Sequence, residues 1–219
     1  MRILFLNIAW MENYRGITDD DKPIGGGSWV TENNDAHEKY NFQPEELQLE
    51  EDGEPARYCL GFFETKESRG KLNQLHIEKI RGCELLGKDI EADDVLVVWC
   101  AKHPAHLFTT VVGWYKHATV YRDYKAMNFN GTDGGIYTQY YNVVAKAKDC
   151  VLLPTSQRSR KTLWEVPRKK ANGRPYGFGR ANVWFANEKG NDKLETYVRE
   201  LVDKIDNYYG ENWINKRAG

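Results

Sequence analysis

The sequence has few of the residues that crosslink a protein or anchor it to a membrane. It contains four cysteines in 219 residues, with no Cys-x-x-Cys pair and no histidine at a zinc-ligand spacing. Cys59, Cys100 and Cys150 lie in or beside apolar segments, which indicates buried thiols in a reducing compartment rather than disulfides. No apolar run approaches the ~20 residues of a membrane span, and the apolar stretch 3–10 is too short for a signal peptide. These absences favour a cytoplasmic protein with no membrane partner.

Net charge is nearly absent as well, with 31 basic and 32 acidic residues, so the total implies no particular partner. The usual catalytic signatures are also missing: there is no Gly-x-Ser-x-Gly elbow, no kinase set and no P-loop. Glu64-Thr65-Lys66 ends like the core of a metal-dependent nuclease, but no acidic residue is predicted on a neighbouring strand. We therefore expect no catalytic residue, no metal and no cofactor in this chain.

What the sequence does contain is a long β-rich centre. Residues 95–100 and 107–115 are continuous apolar runs with β-branched and aromatic side chains, which is typical of strands buried on both faces. Residues 118–121 form a third run. Gly113 lets a backbone or a flat ligand approach closely, and two large aromatic residues follow it. Core packing and the wall of a pocket for a flat ring both fit this arrangement.

Shorter patterns complete an α+β fold in a single domain that spans residues 1–219. Residues 192–210 carry apolar side chains at helical spacing, with a capping-box-like start at Asp192 and a stop at Gly210. We expect this C-terminal helix (190–210) to pack on the sheet. The polar end after Gly210 suits either a terminus or a linker to a further domain. Further strands are predicted at 2–9, 58–64, 72–80, 136–147, 150–153 and 182–186, and an irregular loop at 125–135.

Charge is distributed unevenly along the chain. Residues 32–54 include nine acidic residues and one lysine, which is typical of a solvated face that points away from nucleic acid. Residues 154–180 include eight basic residues and one acidic residue, with Trp164 and Tyr176 among them. Such a mixture suits phosphates and stacked bases, and a solvated loop is the alternative. The predicted contacts to a nucleic-acid backbone are Arg158, Arg160, Lys161, Arg168, Lys169, Lys170, Arg174 and Arg180.

A second set of residues predicts a pocket for a flat ring. Three consecutive glycines lie just before Trp29, so the backbone there can approach a ligand while the indole forms a wall. Of the two aromatic residues after Gly113, strand alternation sends one inward, and a tryptophan lies one strand away. Polar residues near Trp29 are candidates for the edge of a base, although an asparagine in a turn is an ordinary structural residue. The predicted pocket consists of Trp29, Trp114, Tyr115, Trp99, Asn41, Asp35 and Ser28.

Residues 94–124 resemble the central strands of the PUA-like superfamily, in particular its EVE and YTH branches. The run DVLVVW (94–99) followed by VVGW (111–114) fits the strand pattern of that superfamily, and YRD (121–123) is similar to the Tyr-x-Asp of EVE domains. GSWV (27–30) resembles the strand-edge segment in which YTH domains place a tryptophan of their aromatic cage.

The resemblance implies a strongly curved, barrel-like mixed sheet with peripheral helices and a C-terminal helix. It implies a binding module and not an enzyme: a reader of methylated or hydroxymethylated cytosine, or of methyladenine, in double-stranded DNA, which flips the base into an aromatic cage. Such a reader serves as the specificity module of a modification-dependent restriction system, with a fused or associated nuclease. Two alternatives stay open, an RNA-binding PUA-like domain and a metal-dependent nuclease or small hydrolase on the same fold.

Overall fold

The computed structural model describes residues 1–26, 35–49, 53–65, 67–68, 71–72, 74–106, 108–130, 135–162, 164–169 and 175–216. These residues form the α+β fold that the sequence predicts, with eleven strands and one α-helix, α1 (Asp192–Asp206). The strands are β1 (Ile3–Ile8), β2 (Pro44–Leu47), β3 (Ala56–Gly61), β4 (Glu67–Ser68), β5 (Lys71–Leu72), β6 (Glu91–Lys102), β7 (Thr109–Asn130), β8 (Ile136–Lys146), β9 (Cys150–Leu152), β10 (Glu165–Val166) and β11 (Val183–Trp184). Short 3-10 turns occur at His37–Tyr40, Ile77–Lys79, Ala147–Asp149, Thr155–Gln157, Arg160–Thr162 and Trp213–Asn215.

Nine of the strands form one mixed sheet in the order β11-β1-β6-β7-β8-β3-β2, with β9 and β10 both paired to β7. β1 and β6 run parallel, and all the other pairs in this sheet are antiparallel. β4 and β5 form a separate two-stranded sheet. The path ends at β11 and at β2 without closing, so the described strands do not confirm the barrel-like arrangement.

The sheet is organised around β7, which is 22 residues long and pairs with β6, β8, β9 and β10. Register shifts in its ladders with β6 and β8 mark bulges, where a strand bends and twists. The predicted loop at 125–135 was wrong over most of its length. β7 continues to Asn130 and β8 begins at Ile136. The pairing of these two strands extends past the core, so the polar residues here form a β-hairpin.

A hydrophobic core covers each face of the sheet, and the central aromatic residues lie in these two cores. Tyr115 and Trp99 belong to the core on one face, together with residues of β1, β3 and β8. Trp114 belongs to the core on the other face, where α1 packs. Strand alternation therefore sends Tyr115 and Trp114 to opposite cores, and both side chains are buried. The helix contributes Leu194, Leu201, Val202 and Ile205 to this second core.

The ends of α1 and one predicted strand differ from the sequence-based expectation. The N-cap is Asn191 and not Asp192, because the Asn191 side chain accepts a hydrogen bond from the N–H of Leu194 at 3.2 Å. The helix ends at Asp206, before Gly210. The strand predicted at 72–80 was largely wrong. Among its described residues only Leu72 lies in a strand, and Ile77–Lys79 is a 3-10 turn whose Ile77 side chain belongs to the core.

Gly113 is required by a close approach inside the core. A Cβ at this position would overlap the main-chain oxygen of Val151 on β9, and it would lie 2.6 Å from the ring of Phe42. The flat group that approaches Gly113 is therefore a side chain of the protein itself.

We expect Gly113→Ala to destabilise the protein by about 1–3 kcal/mol, since the new methyl group would overlap the main chain of Val151 and the buried ring of Phe42. The midpoint of urea unfolding measures the change. Gly87→Ala is the matched control, because a Cβ at Gly87 meets nothing within 4 Å, and it should change stability by less than about 1 kcal/mol. Equal effects of the two substitutions would contradict the packing argument.

Candidate functional site

The five predicted pocket residues that the structure describes do not assemble into a pocket. Trp99, Trp114 and Tyr115 are each at most 1% exposed. Trp99 and Tyr115 meet edge to face at 5.3 Å between ring centroids, and Trp114 stacks on another tryptophan at 5.4 Å. Rings enclosed by other rings in this way have no face free for a base, so these three residues belong to the cores. Ser28 and Trp29 lie outside the described residues.

The two polar candidates have structural partners. The buried amide of Asn41 donates to the carbonyl of Phe62 at 3.0 Å and accepts from the N–H of the same residue at 2.8 Å. Asn41 therefore fastens its turn to the residue that follows β3. Asp35 accepts from the N–H of Ala36 and from Nζ of Lys39, both at 2.7 Å, so its carboxylate is engaged within the same turn.

A buried carboxylate ties this turn to the end of β1. Glu38 is 7% exposed, and its Oε1 accepts the N–H of Ala9 at 2.8 Å. Burial raises the pKa of Glu38, against the opposing effect of the Ala9 N–H. The charge count had placed Glu38 in a solvated acidic face, but this residue bridges two segments of the core.

Arg158, predicted to contact a nucleic-acid backbone, is fully buried. Its guanidinium donates to the carbonyls of Leu153 at 2.7 Å, Met11 at 2.7 Å and Glu12 at 2.7 Å, and it lies 5.3 Å from the ring of Trp10. Burial lowers the pKa of Arg158 to about 10, so the side chain keeps its charge at neutral pH. The prediction was wrong for this residue, which joins the segment after β9 to the segment after β1.

Most of the other basic residues whose side chains are described have partners within the protein. Lys169 pairs with Glu188 at 2.9 Å, and Arg160 pairs with Glu165 at 3.5 Å. Arg168 is half-buried and donates to a threonine hydroxyl on β7 at 2.6 Å. These pairings weaken the positive potential that the sequence count predicts. Arg180 is exposed, while the side chain of Lys161 and the whole of Lys170 and Arg174 lie outside the described part of the chain.

A surface of stacked rings lies where β1 and β6 end and β7 begins. His103 follows β6, and its imidazole stacks on Phe108 with 5.2 Å between centroids and 17° between planes. The ring centroid of His103 lies 4.7 Å from that of His106 and 4.9 Å from that of Trp10. The guanidinium of Arg160 lies 5.1 Å from the centroid of Phe108. We call Trp10, His103, His106 and Phe108 the ring stack.

The two histidines are the part of the ring stack that reaches solvent, because Trp10 and Phe108 are buried. His106 is exposed and His103 is half-buried. Burial lowers the pKa of His103, and the neighbouring His106 lowers it further. Because Nδ1 of His103 accepts the N–H of Ala105 at 3.2 Å, its neutral ring carries the proton on Nε2. Lys102 and Arg160, both exposed, supply positive charge beside the ring stack.

A second group of rings lies beside the turn that carries Asn41. His37 lies 5.0 Å from Phe62, and Phe62 stacks on Tyr124 at 5.1 Å. Tyr140 meets His37 edge to face at 5.9 Å and is 44% exposed. Neither group of rings is among the pocket residues predicted from the sequence. The only signal for these two groups in the sequence is an unusual density of histidine and aromatic residues at the ends of strands.

Both ring groups border the ends of segment 27–34, which lies outside the described residues. Before that segment, Ile24 and Trp10 exchange main-chain hydrogen bonds of 2.9 Å in both directions. After it, Ala36 packs against Ala9. The described chain on each side of the segment is therefore fixed against the end of β1.

No family model matches the chain, and no match is found among the curated proteins or the solved structures. Within the described residues, no three or more histidine, cysteine or acidic side chains are placed to hold a metal ion. No helix in that part of the chain is long and apolar enough to cross a membrane. All four cysteines are buried free thiols.

We expect Arg158→Ala to lower the free energy of unfolding by about 3 kcal/mol, because three main-chain carbonyls lose a buried charged donor. Urea unfolding measures the loss. Arg180→Ala, at an exposed position, is the control and should stay within about 0.5 kcal/mol of the wild type. A stable Arg158→Ala variant with weakened DNA binding would restore the backbone-contact role.

Glu38→Gln tests the cost of the buried charge. Because the pKa of Glu38 is raised in the folded protein, wild-type stability should fall as pH rises from the unfolded-state pKa towards the folded-state pKa. Gln keeps an oxygen that can accept the Ala9 N–H but carries no charge. Glu38→Gln should therefore be at least as stable as the wild type at neutral pH, with the difference shrinking as pH falls to about 4.

Melting temperatures of both proteins between about pH 4 and pH 8 measure this difference. Glu46→Gln, an exposed carboxylate on β2, is the control and should leave the pH profile of the wild type unchanged. A Glu38→Gln variant that melts much earlier than the wild type at neutral pH would show that the carboxylate charge itself is stabilising.

Proposed function

We propose that this chain is a DNA-binding module that reads a modified base in a duplex and that the ring stack is part of the face contacting the nucleic acid. The observation that carries the proposal is that the exposed His106, the half-buried His103 and the exposed cation Arg160 lie together over buried rings at the ends of the central strands. Bases stack on aromatic and imidazole faces, and guanidinium and ammonium groups contact phosphates. The proposal concerns base recognition, and cleavage would belong to a separate domain or subunit.

The energies of base flipping explain why such a face needs several rings. Extruding a base from a duplex costs a few kcal/mol, and stacking on an aromatic side chain returns about 1–3 kcal/mol per base. A methyl group adds only about 0.8 kcal/mol when it is buried. Affinity must therefore come from stacking and phosphate contacts, whereas selectivity for the modification needs a close-fitting cage.

Trp29 stays in the proposal as a wall of that cage. Its position rests on the sequence alone: it follows three glycines and comes five residues after Ile24, whose main chain pairs with that of Trp10. The resemblance to EVE and YTH domains supports the same assignment. In the proposed face, the ring stack and basic side chains bind any duplex, and Trp29 distinguishes the modified base.

The first test is the double substitution His103→Ala, His106→Ala. We expect it to weaken binding to modified and unmodified duplexes alike by roughly 5- to 150-fold, the equivalent of about 1–3 kcal/mol of stacking. Fluorescence anisotropy with duplexes containing 5-methylcytosine, 5-hydroxymethylcytosine, N6-methyladenine or no modification measures this. His76→Ala, an exposed imidazole outside the ring stack, is the control. Unchanged affinity, or a preference for single-stranded RNA, would refute the proposal.

The second test is Trp29→Ala, measured twice on the same protein. As a cage residue, Trp29 should set the ratio of modified to unmodified affinity while contributing little to the melting temperature. As a core residue it would behave in the opposite way, because Trp→Ala in a core costs about 3–5 kcal/mol. A large drop in melting temperature with an unchanged affinity ratio would remove Trp29 from the site.

A further inference from the structure

Glu64 lies in a short segment after β3 whose main chain is held by side chains of other strands. The amide of Asn142 on β8 accepts from the N–H of Phe63 at 3.0 Å and donates to the carbonyl of the same residue at 2.9 Å. The phenol oxygen of Tyr124 on β7 accepts the N–H of Thr65 at 2.6 Å. The main chain is therefore fixed on both sides of Glu64.

The polar side chains that hold this segment are buried. Asn41, Asn142 and Gln139 are each at most 4% exposed, and all three form hydrogen bonds to main-chain groups of residues 60–63. Burying polar groups costs free energy unless each of them finds a partner, so their concentration at one place needs a reason. Glu64 itself is exposed. The buried amides thus present one carboxylate at the surface on a fixed main chain, which is the arrangement expected of a recognition group.

Two rings of the second group lie close to this carboxylate. Tyr124 is half-buried and stacks on Phe62 with 18° between the planes, whereas His37 is exposed and meets the exposed Tyr140 edge to face. Burial raises the pKa of Tyr124, and the charge of Glu64 raises it further. Partial burial lowers the pKa of His37, and the charges of Asp35 and Glu64 oppose this change. We call Glu64, His37, Tyr124 and Tyr140 the Glu64 site.

The other two carboxylates near the Glu64 site are engaged within the protein. Asp35 pairs with Lys39 at 2.7 Å, and Glu38 is buried and accepts the N–H of Ala9. Glu64 forms no ion pair within the described residues. An ionised carboxylate can only accept hydrogen bonds, so the edge of a ligand that contacts Glu64 must carry a donor.

The Glu64 site adjoins the face that we propose for DNA binding. Glu38 follows His37 in the chain and accepts the N–H of Ala9. The next residue, Trp10, lies 4.9 Å from His103 of the ring stack between ring centroids. The two groups of rings are thus linked through two consecutive residues at the end of β1. This link places a second stacking surface beside a duplex that is bound at the ring stack.

We propose that the Glu64 site holds the extruded base and that Glu64 selects a modified cytosine by accepting a hydrogen bond from its exocyclic amino group. This inference rests on the proposed function. The base stacks on Tyr124 and Tyr140. Carboxylates are the usual acceptors for N4 of cytosine, whereas adenine has an acceptor nitrogen beside its amino group and is matched by an amide side chain. A uracil-type base has an oxygen in place of the amino group, and this oxygen cannot donate to Glu64.

Two duplexes that differ in one functional group test this proposal. One carries 5-hydroxymethylcytosine and the other 5-hydroxymethyluracil, each facing an abasic site, so that neither base loses a pair on extrusion. In fluorescence anisotropy, the wild type should bind the cytosine duplex about 5- to 150-fold more tightly. Glu64→Gln should bring the two affinities to within about threefold, because an amide donates to the uracil oxygen as readily as it accepts from the amino group. The pair 5-methylcytosine and thymine repeats the comparison.

Glu200→Gln, at an exposed position on α1, is the matched control and should keep the wild-type ratio. Tyr140→Ala removes a stacking surface, so it should weaken binding to both duplexes by roughly fivefold or more and leave their ratio unchanged. Melting curves check that each variant is folded. Because Glu64 is exposed, Glu64→Gln should melt with the wild type.

Equal affinity of the wild type for the two bases of both pairs, tighter binding of N6-methyladenine, or an unchanged ratio in Glu64→Gln overturns the proposal. None of these results affects the ring stack, which the His103, His106 variant tests separately. Magnesium-dependent cleavage that Glu64→Gln abolishes would make Glu64 a metal ligand and overturn the proposal. Binding of a trimethyllysine peptide that Glu64→Gln weakens would assign the site to a cationic ligand instead. A wild type that binds no duplex would overturn both this proposal and the proposed function.

Discussion

The burial of the β6–β7 ladder on both faces is the constraint on which the rest of the structure depends. β7 has strand neighbours along both edges, one core on the face of Tyr115 and another on the face of Trp114. Side chains in the middle of such a strand are buried in one core or the other, so they cannot contact a ligand. Groups available to a ligand must then come from the places where strands end, and the ring stack lies at such a place.

Much of the fold could be predicted because the spacing of apolar residues along the chain shows which side chains are buried. The continuous apolar run at 95–100 and the helical spacing after residue 192 are strong signals, and both elements were located correctly. The hairpin beyond Tyr124 was missed because its glycine- and asparagine-rich composition is typical of loops, although these residues pair with the next strand, β8. The strand predicted at 72–80 failed for a similar reason, since a short apolar run fits a buried turn equally well.

The site was harder to predict than the fold because the numbers of charged and aromatic residues in a segment do not show whether their side chains point to solvent or into the core. Arg158 was counted with a basic surface and Glu38 with an acidic one, but both are buried and bonded to main-chain groups of distant segments. The tryptophans were the most conspicuous aromatic residues, and the two at described pocket positions, Trp99 and Trp114, are core residues. The half-buried rings that remain accessible are mostly histidine and tyrosine, which a search for an aromatic cage ranks lower.

The parallel pairing of β1 with β6 fixes the order in which the molecule can assemble. Ile3 lies opposite Leu96, and the other edge of β1 pairs with Trp184 on β11. During synthesis, β1 therefore has no partner on one edge until Leu96 has been made, and none on its other edge until Trp184 has been made. Contacts of such large sequence separation slow folding. During synthesis, the apolar run of β1 is a segment that needs protection from aggregation.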